Sequence, residues 1–139
     1  MIGIVVLLVA VLLTAITAMA FKARNGRFAA STVPAGAEVL TAADLGGALG
    51  ERATLVQFSS AFCSPCRATR ILLDDVAAKL DGVVTIDIDA EAHLDMVRRL
   101  NIMRTPTVLV LDAGGAISTR ASGLPRREQV LAALGEAIP

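Results

Sequence analysis

Val56-Gln57-Phe58-Ser59-Ser60-Ala61-Phe62-Cys63-Ser64-Pro65-Cys66-Arg67 holds the only two cysteines of the chain, three positions apart. The run Thr54-Leu55-Val56-Gln57-Phe58-Ser59 predicts a buried strand. A helical pattern follows from about Cys63 to Lys79, with Ile71, Leu72, Val76 and Leu80 at helical spacing and Asp81-Gly82 as its stop. The pair therefore sits where a strand, a short turn and a long helix meet. At a helix start, Cys63 faces free backbone N–H groups and the positive end of the dipole, and both favour a thiolate over a thiol. The thiolate is the attacking species in disulfide exchange. Cys66, one turn later, lies on the same face and is placed to resolve a mixed disulfide. Pro65 fits the first turn, where its missing N–H has no helical partner. Arg67 and Arg70 add positive charge to the same turns. Two other uses of the pair stay open: half of a metal site completed by a partner chain, and two inert core thiols. With His93 as the sole histidine and no further cysteine, the sequence does not support the first, and the position and spacing of the pair do not favour the second.

Working outward, Glu38-Val39-Leu40 predicts a short first strand, Thr41 an N-cap, and Ala42 to Leu49 a short helix ended near Gly50. Val83 to Asp89 begins as a continuous apolar run and ends in alternation, as a strand whose tail reaches solvent does. Ala92 to Leu100 reads as a helix with Leu94, Val97 and Leu100 on one face. Thr107 to Leu111 is a further strand, Ala113-Gly114-Gly115 a hairpin turn, and Ala116 to Ser122 the returning strand. Pro125 opens a last helix to about Ala137, with Val130, Leu131 and Leu134 apolar. The order β-α-β-α-β-α-β-β-α argues for an α/β fold with parallel pairing and an antiparallel final hairpin. His93 reads as a solvated surface residue. Asp87, Asp89, Glu91 and Asp95 read as a solvated loop and helix start, not as a metal site.

The chain has 139 residues, 55% of them hydrophobic, with 13 basic and 13 acidic side chains. The apolar excess is concentrated at one end. Residues 1–21 carry no charge, and only Gly3, Thr14 and Thr17 interrupt 18 hydrophobic-class positions. Ile2 to Phe21 would make a helix of roughly 30 Å, the thickness of a bilayer's hydrocarbon core. It is apolar all round, so residues 1–21 are expected to span a membrane as a helix. Ala18-Met19-Ala20 also fits a signal-peptidase site. Against cleavage, Met1-Ile2-Gly3 has no basic residue and the apolar run exceeds the 7–15 residues of a usual h-region. Lys22, Arg24 and Arg27 follow the span, which by the positive-inside rule places the C-terminal side in the cytoplasm. Residues 22–37 read as a linker, with Asn25-Gly26 and Pro34-Ala35-Gly36 as turn signals. Residues 38–139 form the folded domain. Zero net charge, no Trp or Tyr and four Phe exclude a nucleic-acid binder. Two cysteines are too few for a disulfide-stapled scaffold or a four-thiolate zinc site.

The stretch Val56 to Arg67 and the order of elements resemble the thioredoxin family over about residues 38–138. Met103-Arg104-Thr105-Pro106-Thr107 resembles the family's second signature. The resemblance implies a thioredoxin fold, a central mixed sheet flanked by helices, here preceded by one N-terminal transmembrane helix. It implies Cys63 as nucleophile and Cys66 as resolving thiol. It further implies a cis Thr105-Pro106 bond packed against the pair, with the backbone of Thr105 offered to substrate. Gly123 matches a glycine lining the substrate groove, and Phe62, Ser64 and Pro65 join the implied substrate-binding surface. Asp89 matches the end of the third strand and has no catalytic implication. The family needs no cofactor or metal. Four positions depart from its pattern: Phe62 stands for a Trp, Ser64 for a Gly, Gln57 for a buried proton-relaying Asp, and Thr85 for a Lys. A glutamine cannot accept and release a proton at neutral pH. Water or another group then deprotonates Cys66, or turnover is slower.

The expected function is that of a membrane-anchored thiol–disulfide oxidoreductase, acting on protein disulfides and drawing electrons from a reductase or a membrane donor. The expected location is the cell membrane, single-pass, with the domain cytoplasmic and residues 2–21 in lipid. Two alternatives carry different consequences. The domain on the other side of the membrane would be an envelope oxidant or isomerase. A non-catalytic interaction module of a membrane complex would not need the pair at all.

Overall fold

The computed structural model describes residues 1–30 and 38–139. An apolar helix α1 (Ile2–Arg24) leads into a short strand β1 (Phe28–Ala30). There follow α2 (Ala42–Leu45), β2 (Ala53–Ser59), α3 (Ser64–Ala77), β3 (Val83–Asp89), α4 (Leu94–Arg99), β4 (Thr107–Asp112), β5 (Ile117–Ser122) and α5 (Arg127–Ala137). The five strands form one mixed sheet in the order β1-β5-β4-β2-β3. β2 runs parallel to β3 and antiparallel to β4, while β5 runs antiparallel to both β4 and β1. This is the thioredoxin fold expected from the sequence.

Both faces of the sheet are buried, and the strands show why. Along β2 and β4, alternate side chains feed two different cores. Leu55, Val108 and Val110 pack with Leu73 and Val76 of α3 and with Val130 and Leu134 of α5. Val56, Phe58, Leu109 and Leu111 pack on the opposite face with Leu40, Leu45, Leu100 and Ile102. A period of two puts neighbours on opposite faces. A strand covered on both sides therefore reads as an unbroken apolar run. α3 meets the first core along one stripe, Cys66, Thr69, Leu73 and Val76.

Three details differ from the expectations. The predicted linker at 22–37 is shorter: α1 continues through Arg24, and Phe28–Ala30 pair with Ala121, Arg120 and Thr119. Those residues join the sheet because β5 offers an otherwise unpaired edge. Residues 31–37, including Pro34-Ala35-Gly36, lie outside the described residues. The strand expected at Glu38-Val39-Leu40 is a single bridge, Val39 to Ala116. The helix expected to reach Leu49 stops at Gly46, which is left-handed (φ 66°). Its start is as predicted: the Asp44 N–H donates to Thr41 Oγ1 at 3.2 Å and the Thr41 N–H donates to Asp44 Oδ2 at 2.8 Å.

α1 buries none of its side chains. It is long and apolar enough to cross a membrane, with the length and composition of a membrane anchor or a signal sequence.

Candidate active site

The topology brings two distant segments together at one end of the sheet. β2 ends at Ser59, and the chain turns there into α3. Because β4 runs antiparallel to β2, its first residue Thr107 lies opposite Phe58. The residues just before β4, Arg104-Thr105-Pro106, therefore arrive beside the start of α3. The Thr105-Pro106 peptide bond is cis. Ser60 and Thr105 share a hydrogen bond between their hydroxyls at 2.9 Å. The Thr107 hydroxyl donates to the Arg104 carbonyl at 2.6 Å, which pins the loop from its other side.

Cys63 and Cys66 are joined in a disulfide, with Cα atoms 5.2 Å apart. Cys63 is the N-cap of α3, and the Cys66 N–H donates to its Sγ at 3.2 Å. A sulfur there takes the place of the oxygen in an ordinary N-cap and faces one of the helix's free donors. A free N–H donor at a helix start in general favours negative charge on a sulfur at the cap position. The two sulfurs have different surroundings. Cys63 is half-exposed, whereas Cys66 is 2% exposed. Cys63 is thus the more accessible of the two. Phe62, directly before the pair, is 102% exposed and projects into solvent. Ser64 and Pro65 are exposed in the first turn.

Beneath the pair, buried Gln57 donates from Nε2 to the Cys66 carbonyl at 2.8 Å. Its Oε1 is buried with no hydrogen-bond partner among the described residues. Gln57 thus holds Cys66 by a neutral hydrogen bond, in the place of the carboxylate that the resemblance implies. Thr85, in the place of the family's lysine, donates to Asp74 at 2.6 Å. The two arginines of α3 part company. Arg70 forms an ion pair with Asp87, which also accepts from the Ser59 hydroxyl at 3.1 Å. Arg67 is exposed and lines an open cleft of about 650 Å³ that also includes Ser60, Phe62, Cys63 and Asp89. His93 is exposed, its Nδ1 3.0 Å from the Asp89 carbonyl, and does not itself line the cleft.

Ser60, which ties the cis-proline loop to the cysteine loop, carried no signal beyond its place in the strand-to-helix turn. Gly123 lies beside the cis-proline, its N–H donating to the Pro106 carbonyl at 2.7 Å. Its φ of 92° suits glycine. Its outer face is not open, however. A Cβ there would collide with Asn25 Oδ1 and the Arg104 guanidinium. The sequence held no hint of this cover.

A mixed sheet, a CxxC pair capping a helix and a cis-proline loop beside it define the architecture of thiol–disulfide exchange proteins. The thioredoxin family profile matches residues 39–136, and the chain belongs to the thioredoxin family. It is 31% identical over 90 residues to a thioredoxin of Alicyclobacillus acidocaldarius subsp. acidocaldarius, covering 64% of this chain and 85% of that one. It is 38% identical over 58 residues to thioredoxin domain-containing protein 2 of Homo sapiens, covering 42% of this chain. The match spans only 10% of the length of that human relative. Among solved structures, chloroplastic thioredoxin z superposes with a TM-score of 0.55 at 24% identity, over 63% of this chain and 79% of that one. Thioredoxin f from spinach chloroplast does so with a TM-score of 0.55 at 19% identity, over 63% and 78%.

Proposed function

We propose that this chain is a membrane-anchored thiol–disulfide oxidoreductase acting on protein disulfides. The observation that carries the reading is the asymmetry of the pair: an accessible sulfur capping α3 and a buried sulfur one turn behind it. In the reduced protein, the Cys63 thiolate attacks one sulfur of a substrate disulfide. A Cys63–substrate bond forms, and the other substrate sulfur leaves as a thiolate. Cys66, deprotonated, then attacks Cys63 Sγ and expels the second substrate thiolate. Two electrons have passed to the substrate, and the Cys63–Cys66 disulfide remains. Thr105 and Pro106, with Phe62, Ser64 and Pro65, form the surface on which the substrate sulfur lies. A reductase or a membrane electron donor returns the protein to the dithiol.

Cys63→Ser is expected to abolish insulin reduction. Cys66→Ser is expected to accumulate a mixed disulfide with substrate, visible on non-reducing gels. Unchanged reduction by Cys63→Ser would remove the proposed nucleophile.

α1 is the anchor in this reading, and the charges Lys22, Arg24 and Arg27 favour a cytoplasmic domain that works as a reductant. Labelling intact cells with a membrane-impermeant thiol reagent tests the side. Modification of Cys63 from outside would move the domain to the envelope, where an oxidant or isomerase role fits better.

A further inference from the structure

The shelf beside the cis-proline is covered by the chain's own residues, and the cover is held at several points. The Arg104 guanidinium donates to Asn25 Oδ1 and, at 3.3 Å, to the Ser122 carbonyl. It also lies 5.8 Å from the centroid of the Phe21 ring at the end of α1. The backbone behind Asn25 is fixed as well. The Gly26 N–H donates to the Ser122 carbonyl at 2.7 Å, and Gly26 is left-handed (φ 72°), pressed against the Leu124 carbonyl. Phe28–Ala30 then continue along β5. The covered shelf adjoins the redox pair, since Gly123 is bonded to Pro106, and Thr105 to Ser60 in the wall of the Cys63 cleft.

A polypeptide whose disulfide lies on Cys63 has two ways to leave the sulfur. One crosses Thr105 toward Gly123, and Asn25 and Arg104 occupy it. The other follows the open cleft past Arg67 toward Asp89. We propose that Asn25 and Arg104 set the substrate range of the Cys63 site by closing the Thr105–Gly123 side of the groove. Disulfides are accepted with their flanking chain running out along the Arg67–Asp89 cleft, and those needing an extended flank across Gly123 are disfavoured. Selectivity of this kind comes from a steric obstacle to the wrong partner rather than from an added contact to the right one. The inference rests on the exchange chemistry proposed above.

The test compares two substrates on the full chain in detergent micelles. Insulin disulfides carry chain on both sides, and a small bis(nitrobenzoic acid) disulfide carries none. Asn25→Ala/Arg104→Ala is expected to raise the ratio of kcat/KM for insulin to that for the small disulfide about tenfold. Asn25→Ala alone, which trims one exposed side chain and leaves the Gly26–Ser122 bond, is expected to raise it about threefold. The ratio cancels any change in the reactivity of Cys63 itself. An unchanged or lower ratio in either variant overturns the proposal. Turnover of the small disulfide by the unaltered chain, and its loss in Cys63→Ser, tests the exchange chemistry separately.

Discussion

α1 and β2 are both apolar stretches, and the fold treats them in opposite ways. All seven residues of β2 are buried, whereas none of the 23 residues of α1 is. The difference lies in what each can reach. β2 is flanked by β3 and β4 in the sheet and by a core on each face, so its backbone is paired on both sides and its apolar side chains are covered within the domain. α1 satisfies its own backbone and offers an apolar surface all round, a surface suited to lipid. Hydrophobicity alone therefore does not tell a core segment from a membrane one. What separates the two here is cover: the domain buries all of β2, and among the described residues nothing buries α1.

The contrast can be broken by mutation. The largest effect is expected from Phe58→Ala, where a fully buried ring of β2 is lost. That change should destabilise the domain by about 3–5 kcal/mol, read from denaturant unfolding of the full chain in micelles. A much smaller loss would mean that the core on this face is loosely packed. Acid sharpens the comparison at intermediate size, because α1 has no acidic side chain while the helices against the sheet do. Asp44 is held below its ordinary value of 3.8, first by its hydrogen bond from the Thr41 side chain. Asp75 is held below 3.8 first by its hydrogen bond from Lys79, then by Arg127. Folded values below the unfolded one mean that these carboxylates stabilise the fold above pH 3.8. That contribution is lost as pH falls below 3.8 through the lowered folded values. The unfolding midpoint of the domain should fall in this window while the helical signal of α1 persists. Loss of both signals together would contradict the separation. The smallest effect belongs to Leu8→Ala in α1, which should leave domain unfolding within about 0.5 kcal/mol of the original.

Much of this architecture is legible in the sequence where packing follows a local period. β2, β3, β4 and α3 announce themselves because buried strands give continuous or alternating apolar runs and α3 carries one apolar stripe. The redox pair is legible for a different reason: two cysteines three apart at a strand-to-helix junction admit few uses. What escapes is set by long-range contact. Phe28-Ala29-Ala30 is too short and too plain to read as a strand, and it becomes one only because β5 has a free edge beside it. Asn25 and Arg104 are 79 residues apart, and nothing in either neighbourhood predicts their meeting over Gly123. Gly46 shows a local failure, where a left-handed glycine ended α2 ahead of an apolar pattern that continued to Leu49.

β1 changes where this protein can be cut. A soluble version starting at Glu38 would look complete by its profile match, which begins at residue 39. Yet it would leave the hydrogen-bonding edge of β5 open along Thr119 to Ala121. Bare strand edges recruit other chains and seed aggregation. Trimming ahead of Asn25 instead removes the greasy helix and keeps that edge capped. For purification, that makes the short tether between helix and sheet part of the cargo rather than packaging.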